Sequence, residues 1–325
     1  DGLPDWVYSI KEDEIIVRYN QAGKTNLLKK VTNFTGSSID MDYTLSVASF
    51  NQPSRGWMMT RVTTNDPLNP NGGGASITGY SYSNSYYDRY ERMSYGFDSV
   101  VTYQIDPSTN DTLRYVARCY NNRSLMRRGK LTFERTYGGD RKLYIEKEIN
   151  GIMIDYNSGQ EVRDGDCPAM AYPAVEATYT RYYEGGDTPL LITGEKYVYD
   201  KRHNVIQYIN LGDFDNTHDD VTVDFSYYHS RPHNLIGLRE WYKVTFAGSS
   251  AIVREAYFKY NDEGKLTDQM IGSGSDAAIY DFSYDSFGNL RSVKLPENVN
   301  GERMAYDYWY DNVVHTYPVK VEDLA

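Results

Sequence analysis

The residues best suited to chemistry form a run of acidic side chains between two strand-like segments. Asp213, Asp215 and Asp219 lie close together in the sequence and offer the hard carboxylate oxygens that Ca²⁺ prefers. The run departs from an EF-hand loop, because His218 stands at the sixth position and Asp224 at the twelfth, where that motif needs glycine and glutamate. A solvated acidic turn is the preferred interpretation and calcium binding is the alternative. No other cofactor is expected.

A second candidate is a group of tyrosines that could form a binding surface. Its members are Tyr80, Tyr82, Tyr86, Tyr87 and Tyr90. Tyrosine combines a flat apolar ring with a hydroxyl group, so an exposed cluster can bind a sugar or a protein. The preferred interpretation is that the rings form cross-strand ladders within a sheet.

No known catalytic motif fits the sequence. Gly272-Ser-Gly-Ser275 lacks the Gly-x-Ser-x-Gly pattern of a nucleophile elbow. His229 and His233 have the spacing of a helical zinc pair, but Pro232 would break that helix. Carboxylates on neighbouring strands could form a glycosidase acid–base pair, although strand pairing cannot be read from one sequence. We therefore expect no catalytic site, and a carbohydrate-active enzyme is the least favoured alternative.

Composition excludes several classes of partner. The chain has 325 residues, 33 of them tyrosine, and a net charge of −11 from 45 acidic and 34 basic residues. A field of that sign repels phosphate backbones, so nucleic acid is not an expected partner. Apolar runs are short, so no membrane span is expected. Cys119 and Cys167 are too few for a disulfide-dense scaffold and are interpreted as free thiols, with one bridge as the alternative.

β-strands are the elements that must position these residues. Polar and apolar residues alternate along Val221–Tyr227 and Leu131–Arg135, the pattern of strands with one apolar face. Glycine-rich turn signals such as Gly138-Gly139 and Asn300-Gly301 separate the strands at short intervals. Pro53–Gly79 is polar and contains prolines and a glycine run, so it is predicted to be a long loop. The sequence therefore predicts an all-β fold.

An internal repeat indicates how the strands are organised. Residues 197–205, 258–266 and 282–290 align on the pattern aromatic-x-Tyr-Asp/Asn-x-x-Gly-Asn/Lys-Leu, and a fourth copy begins at residue 308. The residues that define the repeat are Tyr199, Asp200, Tyr260, Gly264, Leu266, Tyr284, Asp285, Gly288, Leu290, Tyr310 and Asp311. His203 replaces the glycine in the first copy. The Asp or Asn can cap a turn and the glycine can supply a positive φ, so each copy is predicted to be a β-hairpin. Lone hairpins cannot bury their apolar face, so the units must stack into a continuous sheet.

With these motifs the sequence resembles the Rhs/YD-repeat family, which is named after Tyr-Asp pairs such as Tyr284-Asp285. Further blocks look like parts of the YD-repeat shell region of bacterial insecticidal-toxin-complex B/C components and polymorphic toxins. These blocks are Gly23–Asn33, Ile39–Tyr43, Tyr87–Arg92 and His315–Val321. Asp1–Asp5 looks like the tail of an FG-GAP-type propeller repeat.

The resemblance implies three regions along the chain. Residues 1–22 are expected to be the tail of a preceding propeller-like region, and residues 23–165 an irregular β region that leads into the shell. Residues 166–325 are expected to form the YD-repeat sheet, a curved wall of stacked hairpins.

The function expected from the resemblance is architectural. Family members wind a β-sheet ribbon into a hollow shell, which in toxin members encloses an effector. The chain is therefore expected to be a non-catalytic structural segment of a secreted or cell-surface protein. Its expected partners are the rest of a larger polypeptide or toxin complex and an enclosed effector. The alternative is an adhesion or carbohydrate-binding module that uses exposed tyrosines, since related modules occur in adhesion proteins.

Overall fold

A computed structural model describes residues 5–21, 26–67, 74–162, 170–230, 232–247 and 251–324, and these are built almost entirely of β-strands. The predicted all-β class is confirmed. The helical structure in the described residues amounts to one 3₁₀ turn, Gly274–Asp276. No helix in that part of the chain is long and apolar enough to cross a membrane. Contacts divide the chain into two compact units, Asp1–Gly151 with Tyr179–Ile192, and Ile152–Thr178 with Thr193–Ala325.

The first unit contains a small two-stranded sheet and a long antiparallel meander. The strands are β1 (Trp6–Lys11), β2 (Glu14–Arg18), β3 (Lys30–Thr32), β4 (Ser38–Leu45), β5 (Trp57–Asn65), β6 (Ala75–Asp88), β7 (Met93–Ile105), β8 (Thr112–Asn121), β9 (Lys130–Gly138) and β10 (Leu143–Asp155). β1 pairs with β2, and from β3 to β10 each strand pairs with the next. β10 continues past the unit boundary, and β11 (Ala171–Tyr182) and β12 (Leu191–Tyr199) also contribute residues to both units.

The second unit continues the same pattern in the repeat region. Its further strands are β13 (Val205–Asp213), β14 (Val221–Ser230), β15 (Leu235–Phe246), β16 (Ile252–Tyr260), β17 (Leu266–Ile271), β18 (Ala278–Tyr284), β19 (Leu290–Glu297), β20 (Arg303–Tyr310) and β21 (Pro318–Leu324). From β12 to β21 each strand is antiparallel to the next. Each copy of the repeat is therefore one hairpin of the meander.

The sheet buries few side chains. The buried apolar residues in the described part of the chain are Ile77, Tyr95, Met153, Ile154, Ala174, Ala177, Ala256 and Ala305. The accessible surface is 21441 Å², whereas a compact protein of 37.4 kDa exposes about 13,700 Å². Most side chains within the strands are half-buried against neighbours on adjacent strands, so cross-strand contacts take the place of an enclosed core.

The prediction of a long loop over Pro53–Gly79 is wrong. β5 occupies Trp57–Asn65, and β6 begins at Ala75. Val62 pairs with Met41 on one side and with Thr78 on the other. Threonine and valine favour a pleated backbone, and both faces of this strand tolerate polar threonines because neither is deeply buried.

The predicted boundaries at residues 22 and 165 stay a prediction. Residues 1–4, which carry the propeller-like resemblance, and residues 163–169, which include Cys167, lie outside the described residues. Cys119 lies in β8 as a half-buried free thiol.

Candidate functional site

The repeat turn is closed by the side chain of its Asp. The Asp285 Oδ1 accepts hydrogen bonds from the amides of Phe287 (2.9 Å) and Asn289 (2.8 Å), and its Oδ2 accepts one from Asn289 Nδ2 (3.0 Å). Gly288 donates its amide to the Asp285 carbonyl at 3.1 Å and has φ +89°. The hydrogen bond from the Asn289 side chain is the largest cause that holds the pKa of Asp285 below its ordinary value, and the bonds from the backbone amides add to it. One carboxylate thus fixes the whole turn.

Two other copies have the same geometry. Asp200 accepts from the amides of Arg202 and Asn204, both at 2.8 Å. Asn261 accepts from the amides of Glu263 at 3.1 Å and Lys265 at 2.9 Å. An Asn can replace the Asp here because both amides are received by a single oxygen, Oδ1.

His203 takes the left-handed conformation of the glycine that it replaces. Its φ is +69°, close to the +80° of Gly264. This region disfavours residues with a Cβ. The imidazole ring lies 4.4 Å from the ring of Tyr172 and 5.4 Å from that of Tyr199. The ring contacts offset the backbone strain, so the departure from the sequence pattern does not alter the turn.

The tyrosine of each repeat bonds to the neighbouring hairpin. The Tyr284 hydroxyl donates to the Leu266 carbonyl at 2.8 Å, and the Tyr310 hydroxyl donates to the Leu290 carbonyl at 3.0 Å. Both acceptors are the repeat leucines that open the return strand of the preceding hairpin. We call these contacts inter-hairpin tyrosine bonds. Similar bonds join Tyr199 to the Val175 carbonyl, Tyr227 to that of Val205 and Tyr260 to that of Arg239.

Burial favours the neutral, donating form of four of these tyrosines. Desolvation is the largest cause that raises the pKa of Tyr199, Tyr227, Tyr260 and Tyr284 above the ordinary value. A neutral phenol donates its proton to a carbonyl, which a phenolate cannot do.

The fourth copy has a longer loop organised by Asp311. Its Oδ1 accepts from the amides of Val313 (3.0 Å) and Val314 (2.7 Å), and its Oδ2 from those of Thr316 (3.1 Å) and Tyr317 (3.0 Å). The Val314 amide and then the other three hold the pKa of Asp311 well below its usual range. Four backbone donors explain why this copy keeps Asp although it lacks the Gly-Asn-Leu continuation.

Sequence reasoning predicted a turn at Asn300-Gly301 but did not identify the side chains that cap this turn and the one at Gly36. Asn298 accepts from the amides of Asn300 and Glu302, and Asn33 accepts from those of Thr35 and Ser37. Gly301 and Gly36 supply the positive φ, at +79° and +88°. The signal that identifies these turns is Asp/Asn-x-x-Gly without a preceding tyrosine. Tyr227, which forms one of the inter-hairpin tyrosine bonds, could not be identified from the repeat pattern because no Asp or Asn follows it.

The acidic run lies in the turn after β13. The Asp213 amide donates to Asp219 Oδ2 at 3.0 Å, and the Asp215 amide donates to Asp213 Oδ1 at 3.2 Å. In the described residues, no group of three or more His, Cys, Asp or Glu side chains is arranged to hold a metal ion. Calcium binding stays a prediction, and calorimetric titration with calcium would contradict it by showing no heat.

The predicted tyrosine surface divides between two environments. Four of the five tyrosines lie on β6, where Tyr80 and Tyr82 precede the positive-φ residue Asn84 and Tyr86 and Tyr87 follow it. Tyr90 lies in the next turn. The four on β6 are half-buried. Tyr82 donates its hydroxyl to the Met59 carbonyl at 2.8 Å, and the Tyr86 ring lies 5.6 Å from that of Tyr95. Tyr90 is 99% exposed. Binding by this group stays a prediction.

Part of the chain is similar in sequence to a known family, and most of it is similar in fold to solved structures. Residues 4–127 match the family model described as the insecticide toxin TcdB middle/N-terminal region. Among curated proteins, no sequence matches. The crystal structure of TcdB2-TccC3-TEV has a TM-score of 0.64 at 10% identity, over 91% of this chain and 23% of that one.

Two further solved structures agree. The crystal structure of TcdB2-TccC3 without its hypervariable C-terminal region gives a TM-score of 0.63, and the Photorhabdus luminescens Tc holotoxin pore with a TccC3 mutation gives 0.61. Both are 10% identical over 91% of this chain and 23% of theirs. The chain therefore spans about a quarter of the solved chains that it matches. Its fold is that of a Tc toxin β-shell, and the resemblance to the shell region of toxin-complex B/C components is confirmed.

Proposed function

We propose that this chain is a non-catalytic wall segment of a secreted or surface-displayed β-shell that encloses or displays a toxin effector. One observation carries the proposal. Within each unit, the backbone ladders of the described strands join strands that are consecutive in chain order. Such a meander fully buries few side chains among the described residues, as a wall allows, whereas a globular enzyme or binding domain packs two or more layers around a buried core.

Carboxylates in both units support the same function. Asp200 and Asp285 close turns, and Glu134 and Glu146 form ion pairs with Arg118 and Arg135 respectively at 2.6 Å. These carboxylates therefore have structural partners. The solved relatives are named as complexes with TccC3, which supports a partner chain of the same kind for this protein.

Protease protection tests the proposal. The full polypeptide that contains this chain, assembled with its partner, is treated with trypsin, and the effector fragment is followed by mass spectrometry. We expect the fragment to survive in the wild type and to be digested in Tyr284→Ala and Leu290→Ala, which weaken the wall. Tyr90→Ala is the control, because its exposed ring supports no wall contact, and it should retain protection.

An effector that is digested equally fast in the wild type and in both wall variants would contradict enclosure. Melting temperatures measured on the same samples show whether each wall variant has weakened the sheet. A wall variant with a normal melting temperature and full protection would contradict the structural role of that residue.

A further inference from the structure

Three loops of the first unit meet at one edge of the sheet. They are residues 46–56 between β4 and β5, residues 89–92 between β6 and β7, and residues 122–129 between β8 and β9. We call them together the loop edge. β4, β6 and β8 run in the same direction in this antiparallel sheet, so their C-terminal ends lie on the same side. Arg89 joins the first two loops by donating from Nη2 to the Phe50 carbonyl at 2.9 Å.

The loop edge has the opposite charge to the rest of the chain. Its three loops contain six arginines, no lysine and one glutamate, which gives +5 in a chain of net charge −11. The arginines are Arg55, Arg89, Arg92, Arg123, Arg127 and Arg128. The positive charge of the loop edge attracts an acidic partner to this edge, and the negative charge of the rest of the chain repels such a partner elsewhere.

Three of the arginines lie over aromatic rings. The pairs are Arg89 over Phe50 at 4.2 Å, Arg123 over Tyr86 at 4.8 Å and Arg128 over Tyr95 at 5.7 Å. Arg123 also forms an ion pair with Asp98. Stacking restrains the guanidinium plane, so less conformational entropy is lost when a carboxylate binds its N–H groups.

Polar side chains hold the backbone of these loops. Ser46 and Asn122 are almost fully buried. Ser46 Oγ accepts from the Gly56 amide at 2.9 Å, which closes the first loop, and Asn122 Oδ1 accepts from the Gly129 amide at 2.8 Å, which closes the third. The Asp88 carboxylate accepts from the Tyr90 amide at 2.9 Å and fixes the second. The surface is therefore preorganised for binding.

Large apolar side chains accompany the charges. Tyr90 is 99% exposed and Phe50 78% exposed, and Leu125 and Met126 are also exposed. Arginine, aromatic residues and methionine are enriched at protein–protein interfaces, while lysine is depleted there. This composition favours a protein partner over a sulfated glycan or a lipid headgroup, which would use the charges but leave the apolar side chains unmatched.

We propose that the loop edge is a docking surface for an acidic polypeptide that carries exposed aromatic or aliphatic side chains. Its carboxylates pair with the stacked arginines, and its apolar groups cover Phe50 and Tyr90. This surface is separate from the repeat hairpins, so the proposal does not depend on the wall function.

A binding assay with defined polymers tests the proposal. The chain is titrated against immobilised poly(Glu,Tyr) copolymer, with poly-glutamate, heparin and phosphatidylserine-containing vesicles as comparison probes. We expect poly(Glu,Tyr) to bind most tightly. The triple variant Arg89→Gln, Arg92→Gln and Arg128→Gln should bind it about tenfold more weakly or worse. The control Lys196→Gln, Lys201→Gln and Lys259→Gln makes the same charge change at exposed sites in the other unit and should stay within about twofold of wild type.

Tyr90→Ser separates the apolar contribution from charge. Its ring is exposed, so folding is retained, and we expect weaker binding to poly(Glu,Tyr) with unchanged binding to poly-glutamate. Equal losses in the arginine and lysine triples would overturn the proposal, since binding would then follow net charge alone. Stronger binding to heparin or to the vesicles than to poly(Glu,Tyr) would also overturn it and assign the edge to a glycan or a membrane surface.

Discussion

Tyrosine has two different roles at the level of single residues. In the repeat, the ring lies on the sheet and the hydroxyl satisfies a carbonyl of the adjacent hairpin. For Tyr310 the acceptor is the Leu290 carbonyl, which lies beyond the end of a backbone ladder. The pairing of β19 with β20 begins at Ser292 and Asp307, so it does not include Leu290. The side chain therefore extends the hydrogen bonding to the turn. At the loop edge, by contrast, Tyr90 has an exposed ring and makes no such bond through its hydroxyl in the described residues.

Deleting one repeat hydroxyl should measure this role. We expect Tyr284→Phe to lower the free energy of unfolding by about 1 kcal/mol, because the ring is kept and the Leu266 carbonyl loses its donor. Urea denaturation followed by circular dichroism is the measurement. Tyr90→Phe removes a hydroxyl from an exposed ring and should leave the midpoint unchanged. Equal midpoints for Tyr284→Phe and wild type would show that water replaces the bond without cost.

The hairpin is the element that the sequence predicts best. Local turn chemistry decides its structure, and the Asp-x-x-Gly pattern around Asp285 contains that chemistry completely. Other features depend on distant contacts. The conformation of His203 relies on Tyr172, and the β5 strand relies on ladders with β4 and β6. Of the loop edge, the sequence singled out only Tyr90 as a candidate for binding, because the arginines are dispersed over three loops that only strand pairing brings together.

The turn at Asp311 should make stability depend on pH. The folded-state pKa of this carboxyl lies below its ordinary value of 3.8, so the unfolded chain binds the proton more readily. The stabilisation is therefore present above about pH 4 and is lost as the pH falls towards the folded pKa. We expect the melting temperature of Asp311→Asn to lie below that of wild type at pH 7 and the difference to shrink below about pH 4.

Thermal melts from about pH 7 to about pH 2 check this prediction. Other carboxylates with lowered pKa values, such as Asp285 and Asp155, are present in both proteins and cancel in the difference. Asp187→Asn, at an exposed turn position, is the matched control. A wild-type-to-variant difference that stays constant with pH would mean that the amide preserves the bonds of the carboxylate.

Each unit is held together by contacts between neighbouring strands rather than by a common core. Each strand of a unit contacts the strands beside it, and few side chains are fully buried. The free energy of unfolding should then be approximately the sum of the stability of each hairpin and of each interface between neighbouring hairpins, as in repeat proteins. A compact domain of the same length would instead transmit a local defect to most of its residues through shared core contacts.

Hydrogen exchange distinguishes these two cases within the second unit. Tyr310→Phe removes the bond from β20 to Leu290, and we expect faster amide exchange in β19, β20 and β21 with unchanged exchange in β13 and β14. Tyr227→Phe removes the corresponding bond to Val205 and should have the reverse pattern, which makes each variant the control for the other. Exchange that rises evenly from β13 to β21 in both variants would show a single cooperative unit. Such a result would contradict the additive, neighbour-dependent stability that a wall of stacked hairpins requires.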